Sequence, residues 1–422
     1  MGIDRVLITG IGVVSPIGIG RDRFWAACLE GRSGAVRLES PWVVESDLAT
    51  KIACPVTGFD PGTFGIAPKE ASLLDRTTQF AVAAAVEAAA DAGLGGLPVA
   101  GVDPDRVRTA IGSGIGGFAS LEAAHAAWRD GRSKAKVKRY ALPMLIPNAP
   151  AGQVAIRAGA RGECSAPATA CAAGTMALGD AWRAIRAGEA DLAFAGGTDG
   201  LAGDLDAFAM MGFDRLKTLS TRNDEPERAS RPFDRNRDGF VLGEGAAVLV
   251  LERESHARAR GARAYAAVTG YASNCDALSM LQPDESGERI VALARAALAR
   301  AGRSETEVAH VSAHATSTVA NDRTEARAFR ALFGSRTDEI PVTGLKSMTG
   351  HAIGGSGAME TAALALSIRE GILTPTINYE LPDPECDLRV VANRPLPARP
   401  VLALKLSYGF GGHNACLVLE RP

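Results

Sequence analysis

The stretch Pro167-Ala168-Thr169-Ala170-Cys171-Ala172-Ala173-Gly174-Thr175-Met176-Ala177-Leu178 sets a cysteine among small residues, where an extended segment gives way to a helix. Downstream, Leu178, Ala181, Trp182 and Ile185 recur at i, i+3, i+4 and i+7, and Gly188 supplies a stop signal. The spacing predicts Cys171 at or just before a helix start. Unpaired backbone N–H groups and the positive end of the helix dipole favour a thiolate there, and the small neighbours leave room for a substrate chain. Free cysteine is also among the most buried residue types, so inert packing is the competing reading of this stretch alone.

The surroundings narrow the class of protein. A chain of 422 residues, 46% hydrophobic and 22% charged, can bury a large core in two or three domain-sized units or one duplicated α/β body. A formal net charge of −2 argues against nucleic-acid binding as the main role. Seven cysteines, odd in number, scattered and never paired as C-x-x-C, fit a reducing compartment and neither a disulfide framework nor a zinc site. Neither a signal-peptide pattern nor an apolar run of about 18 residues occurs, so a cytoplasmic enzyme away from membranes is expected.

Along the chain, Val6 to Gly18 reads as a buried strand entering a glycine-rich turn. Gly10-x-Gly12 is followed by Ser15 and Pro16 in place of the next glycine, which excludes a dinucleotide fingerprint. Helices are expected over 22–30, 75–92, 149–159, 287–301, 322–333 (capped by Asn321 or Asp322) and 355–369. Strands are expected over 107–111, 191–195 (ending at Gly196-Gly197), 246–251, 308–312, 341–343, 401–407 and 415–419. The Gly112–Gly117 turn has no lysine at phosphate-loop spacing. Residues 31–67 read as irregular, 131–140 as a basic solvated face or a dock for an acidic partner, and 204–245 as a long polar insertion.

The two halves repeat one layout. Cys171 and His351 each have a glycine three residues on (Gly174, Gly354) and then a small-residue helix. Equivalent positions about a pseudo-two-fold axis would bring both helix starts to one crevice. Of six histidines, His314 and His351 follow strand-like segments, and Lys346 lies five residues before the second. A thiolate nucleophile with two imidazoles suits covalent acyl transfer followed by carbanion chemistry, and no histidine–carboxylate spacing fits a metal site.

Thr169-Ala170-Cys171, Arg231-Pro232-Phe233-Asp234 with Asp238-Gly239-Phe240, Ala313-His314-x-Thr316-x-Thr318, Lys346-Ser347-Met348-x-Gly350-His351 and Gly409-Phe410-Gly411-Gly412 fall in order along nearly the whole chain. In these motifs the sequence closely resembles the β-ketoacyl-[acyl-carrier-protein] synthases, elongating ketosynthases of the type II branch. The resemblance implies an α/β, thiolase-like fold of five layers (αβαβα), duplicated into an N-terminal half, 1–253, carrying Cys171 and a C-terminal half, 254–422, carrying both histidines.

It also implies roles. Cys171 would be acylated by a chain delivered on the phosphopantetheine arm of an acyl carrier protein, with the backbone N–H groups of Cys171 and Phe410 as oxyanion hole. His314 and His351 would then support decarboxylation of malonyl-carrier and Claisen condensation. Lys346 and Glu360 would form a supporting ion pair, Thr316 and Thr318 would contact the arm, and Phe410 would act as a gate. Ile115, Leu145 and Phe213 would shape the pocket, and Lys69, Arg139 and Lys217 would dock the carrier. No bound cofactor or metal is implied.

A dimer is implied, either homodimeric or paired with a related ketosynthase-like subunit, with Gly112–Gly117 near its interface. Departures from the family pattern are Ala315, His413, Tyr408, Leu281, Leu145, and Ser72 and Leu73 at usually basic docking positions. They tilt the partner toward a specialised polyketide or polyene carrier over the housekeeping fatty-acid one. A non-catalytic chain-length-setting subunit would lack the cysteine. A thiolase acting on coenzyme A esters would need a second cysteine in the closing loop, where Gly411-Gly412-His413-Asn414 stands.

Overall fold

The apolar run near the N-terminus forms strand β1 (Val6–Ser15), buried along its whole length. In this computed structural model, which describes residues 5–201 and 207–422, β1 begins a half-sheet completed by β2 (Val107–Gly112), β3 (Cys164–Ser165), β4 (Leu192–Asp199) and β5 (Gly245–Arg253). The order is β1-β5-β4-β2-β3. β5 runs antiparallel to both neighbours, and the β4/β2 and β2/β3 pairs are parallel. A second half-sheet uses β6 (Ala266–Cys275), β7 (His310–Ser312), β8 (Val342–Thr343), β9 (Leu402–Gly409) and β10 (His413–Glu420). Its order, β6-β10-β9-β7-β8, is the first shifted by five, with the same succession of antiparallel and parallel pairs. Val6–Ile8 of β1 pairs with Ala266–Val268 of β6 and joins the halves edge to edge.

Helices cover and separate the half-sheets: α1 (Arg76–Asp91), α2 (Phe118–Gly131), α3 (Ala149–Ala158), α4 (Ala173–Arg186), α5 (Glu288–Ala301), α6 (Val319–Phe333) and α7 (Ser356–Glu370). α4 and α7 touch each other and strands of both half-sheets, so they form the middle layer. Every residue of α7 from Ser356 to Ile368 is buried. α1 and α3 cover the outer face of the first half-sheet, and α5, with α6 beside it, covers the second. The chain is therefore α/β with layers in the order αβαβα.

Small residues make this stacking possible. A Cβ on Gly12 would stand 1.9 Å from the Ala84 carbonyl oxygen of α1, so β1 and α1 approach at backbone distance. Gly12→Ala is expected to destabilise the fold by about 1–3 kcal/mol through overpacking. A thermal-unfolding midpoint lowered by several degrees would show it, and an unchanged midpoint would reject the close approach.

Four local expectations are corrected. β4 continues through Gly196 and Gly197 to Asp199. These glycines admit neighbouring backbone (the Ala247 and Gly354 carbonyl oxygens would lie 2.0 and 2.2 Å from added Cβ atoms) and do not end the strand. α6 starts at Val319 after Thr318, so neither Asn321 nor Asp322 caps it; the Asp322 carboxylate accepts from the backbone of Phe233 and Ser317 instead. α2 and β6 escape the periodicity reading, because α2 buries no residue in the core and β6 carries Gly270 and a polar end. The expected polar insertion contains a helix, Ala207–Arg215, and its second part is core, with Arg231, Phe233, Asp234, Arg237 and Phe240–Ala246 all buried. Residues 204–206 of that insertion lie outside the described residues.

Candidate active site

Where α4 begins, the chain makes one 3-10 turn, Ala170–Ala172, and Cys171 sits in it, 7% exposed. Ala170 takes a left-handed conformation (φ 48°), as do Ala315 (47°), Ser317 (69°) and Ile353 (44°) around the same cavity. Such non-glycine backbone costs roughly 1 kcal/mol or more per residue and persists where the surroundings over-determine it. The loops after β7 and β9 and the segment before α7 converge on the turn. Together they enclose a cavity of about 370 Å³ that has Cys171, His314, His351, Thr316, Thr318 and Phe410 in its wall.

The two imidazoles stand edge to face with ring centroids 5.5 Å apart. His351 packs against Phe240 at 5.2 Å, and its Nδ1 lies 3.0 Å from Ser356 Oγ. His314 is held from behind. Lys346 Nζ donates to the His314 carbonyl at 2.6 Å and to its Nδ1 at 3.2 Å, while ion-pairing with Glu360 at 2.5 Å. Since an ammonium has donors only, Nδ1 of His314 must accept, which leaves the proton on Nε2. Burial, reinforced by Lys346, pushes both histidines well below the usual imidazole range, so both are neutral at neutral pH.

Burial also pushes the Cys171 thiol up to about 12, against the opposing pull of Lys346. The resting nucleophile is thus a thiol rather than the thiolate that the helix start alone predicts, because desolvation outweighs the dipole in this closed pocket. Gly409 brings the closing loop against the turn. A Cβ there would meet the Thr169 carbonyl at 2.8 Å and the Cys171 nitrogen at 3.1 Å, so the 409–410 backbone lies beside Cys171 N.

Phe213 packs on Phe410 (6.4 Å) and on Phe240 (5.4 Å) and, with the exposed Lys217, lines the same cavity. Ile115 belongs to the apolar cluster that contains Cys171. Leu145 is not in the cavity wall; its carbonyl accepts from Gly117 behind the glycine turn. Lys69 and Arg139 are exposed, away from the mouth, on segments joined by Lys138 reaching the Ser72 carbonyl at 3.4 Å. Glu360 and Lys346 lie behind the cavity, 1% exposed each.

Three further groups, Asp199, Glu325 and Lys405, escaped the sequence reading, which named Tyr408 only as a departure from the family pattern. Asp199, at the end of β4, accepts from Ser113 Oγ (2.6 Å), Gly114 N (2.8 Å) and Gly354 N (2.7 Å), tying the glycine turn to the His351 loop. Burial raises its carboxyl to about 6. Glu325 accepts from the backbone of His314 and Ala315, and burial raises it to about 7. Tyr408 packs on the His314 ring at 5.4 Å. Lys405, 0% exposed, ion-pairs with Glu360 Oε2 at 2.7 Å. A lysine in the middle of the apolar run Leu402-Ala403-Leu404-Lys405-Leu406 is the signal that could have found the last of these. No group of three or more histidine, cysteine or carboxylate residues suited to a metal occurs among the described residues.

With this geometry in place, comparison with known proteins gives a family. The β-ketoacyl synthase N-terminal domain matches residues 4–257 and the C-terminal domain residues 265–380. The chain belongs to the β-ketoacyl synthase family. This ketosynthase is 40% identical over 420 residues to the 3-oxoacyl-[acyl-carrier-protein] synthase 2 of Synechocystis sp., covering 99% of this chain and 98% of that protein. It is 41% identical over 427 residues to the tetracenomycin polyketide synthase ketoacyl synthase alpha subunit of Streptomyces glaucescens, covering 99% and 97%.

Among solved structures, a type II polyketide synthase acyl-carrier protein in complex with its hexaketide-bound ketosynthase aligns with a TM-score of 0.90 at 34% identity, over 99% of both chains. The ishigamide ketosynthase/chain length factor aligns at 0.89 and 32% over 100% of both. The protein is an acyltransferase-class elongating ketosynthase of fatty-acid or polyketide synthesis, acting on carrier-bound phosphopantetheine substrates without a separate cofactor. Among the described residues no helix is long and apolar enough to cross a membrane.

Proposed function

We propose that Cys171 carries the acyl chain and that His314 and His351 activate malonyl-carrier for decarboxylative Claisen condensation. The supporting observation is the convergence of one thiol and two neutral imidazoles on a single cavity reached by Lys217 and Phe410. In the first half-reaction the Cys171 sulfur bonds to the thioester carbonyl, and the carbon–sulfur bond to the pantetheine breaks. The thiol proton leaves on the released pantetheine thiol. This exchange is proton-neutral overall, which suits a resting thiol. The N–H groups of Cys171 and Phe410 hold the developing oxyanion, where one such donor is typically worth about 10²–10³ in rate.

In the second half-reaction the bond to the malonyl carboxylate breaks, carbon dioxide leaves, and its electron pair becomes an enolate. Nε2–H donors from His314 and His351 hold the enolate oxygen. The enolate carbon bonds to the acyl carbon, the bond to the Cys171 sulfur breaks, and the thiolate takes one proton from water to restore the thiol. Lys346 and Glu360 orient His314, Thr316 and Thr318 guide the pantetheine arm, and Phe410 gates the cysteine with Phe213. Ile115 borders the acyl pocket, Leu145 supports it from behind the glycine turn, and Lys217 at the cavity, with Lys69 and Arg139 on the surface beyond it, meets the acidic carrier.

The working units are the halves 1–253 and 254–422, in a cytoplasmic dimer. The identity to a polyketide alpha subunit and the likeness to a ketosynthase/chain length factor structure support a pair with a chain-length-setting subunit, with a homodimer as the alternative. The departures at Ser72, Leu73 and Leu281 favour the paired, specialised role. Incubation with acyl-carrier and malonyl-carrier is expected to give a β-ketoacyl-carrier two carbons longer, read by mass spectrometry. No extended product from any carrier-bound chain would reject the reading.

A further inference from the structure

A buried polar chain crosses the middle of the molecule. It runs from His314 Nδ1 to Lys346 Nζ, to Glu360 Oε1, from Glu360 Oε2 to Lys405 Nζ, then to Ser407 Oγ at 2.9 Å and on to Thr175 Oγ1 at 2.8 Å. Thr175 stands in the first turn of α4, four residues after Cys171. Lys346, Glu360, Lys405, Ser407 and Thr175 are each at most 1% exposed.

Two lysines share one carboxylate here: burial and then the neighbouring Lys346 lower Lys405, while Glu360 opposes both and favours its charged form. A buried ion is costly unless something is gained from it, and a hydrophobic residue at position 405 would leave Lys346 and Glu360 as a balanced pair. The division of labour at Glu360 is specific. Lys405 occupies Oε2, which confines Lys346 to Oε1 and leaves its other donors for the His314 carbonyl and Nδ1.

We propose that Lys405 is a positioning residue of the condensation: through Glu360 it holds Lys346 on His314 Nδ1, and its charge keeps both imidazoles neutral and favours the enolate. The inference rests on the ketosynthase reading above. Its electrostatic part agrees with the lowering of both histidines by Lys346 and Lys405, after burial. The other titratable groups around the imidazoles are Glu360 and Glu325 behind them and Lys217, Asp238, Asp276, Tyr408 and Cys171 in the cavity wall. Removing Lys405 changes none of them chemically. Without it Glu360 would draw Lys346 into a two-oxygen pair, His314 would lose its fixed tautomer, and both histidines would protonate at higher pH.

The test is carbon dioxide release from malonyl-carrier as a function of pH in the full-length protein, for wild type, Lys405→Gln and Lys405→Arg. Glutamine keeps a donor for Ser407 without the charge, and a preserved unfolding midpoint confirms its fold. The expected result is a fall of about 10- to 100-fold in the maximal rate for Lys405→Gln, with the acid limb moved to higher pH. Loading of Cys171 by acyl-carrier should persist. Lys405→Arg is expected to return the acid limb toward its wild-type position; if arginine does not fold, Lys405→Met takes over as the charge-removing variant and must reproduce the glutamine result.

An unchanged rate, or a lower rate with an unmoved acid limb, overturns the proposal and leaves Lys405 a packing residue. Wild-type protein that releases no carbon dioxide would instead defeat the ketosynthase reading itself.

Discussion

Cys171→Ala is expected to abolish acyl-enzyme formation and condensation while leaving the fold and the release of carbon dioxide from malonyl-carrier in place. The reasoning separates two functions that share one cavity. Acylation needs a sulfur in the 3-10 turn. Decarboxylation needs only donors at the enolate oxygen, and these come from the opposite half of the molecule. Removing a covalent nucleophile typically costs on the order of 10⁴–10⁶ in turnover.

The structural cost should be small. Cys171 belongs to an apolar cluster with Leu201, Met210, Phe240 and Ile353, and losing one sulfur there costs about 1 kcal/mol. Intact-protein mass spectrometry after mixing with acyl-carrier decides. An acyl adduct on the alanine variant means that another group is the nucleophile. Loss of decarboxylation together with loading would mean that the two functions are not separable as the geometry implies.

Much of this could be read in the sequence because chemistry and folding demanded the same residue types. Cys171 lies among alanines and glycines since α4 must pass between two sheets, and a Cβ on Gly174 would stand 2.6 Å from the Gly354 carbonyl. The same crowding produces the matching Gly354-Gly355 before α7, so the repeat of layout and the meeting of Cys171 with His351 come from one packing requirement. What stayed hidden was set by tertiary context. Asp322 looks like a helix cap until the Phe233 and Ser317 backbone groups claim its carboxylate. The thiolate expected at a helix start gives way to a thiol because the pocket closes over it, and a one-dimensional pattern contains no measure of desolvation. Lys405 shows the same limit: its apolar run marks the position, but no one-dimensional pattern names Glu360, from a helix 45 residues earlier in the chain, as its partner.

The second large effect is expected from His351→Ala, with normal loading of Cys171 and a fall of about 10²–10³ in carbon dioxide release from malonyl-carrier. The magnitude is that of one lost donor to an oxyanion in a water-poor site. It falls on decarboxylation alone because His351 holds its place through its backbone N–H on the Val241 carbonyl and through Ser356, none of which belongs to the turn that carries Cys171. His314 remains, fixed by Lys346, so the variant retains one donor and a residual rate.

The pH dependence provides an independent check on the same assignment. A histidine whose folded value lies well below 6.5 stays neutral until the solution is more acidic than for a free imidazole. Decarboxylation by the wild-type protein should therefore show no loss from imidazole protonation between about pH 6.5 and 8, where Glu325, raised to about 7, is the group beside His314 that titrates, and should fall on the acid side as the imidazoles protonate. Acid protonation of either ring places a positive charge in a buried site and against Lys346; burial first and Lys346 second depress the two values. Normal carbon dioxide release in His351→Ala, or a decline from pH 8 to 6.5 that persists in Glu325→Gln, would remove the two neutral imidazoles from the enolate and with them the division of labour between the halves.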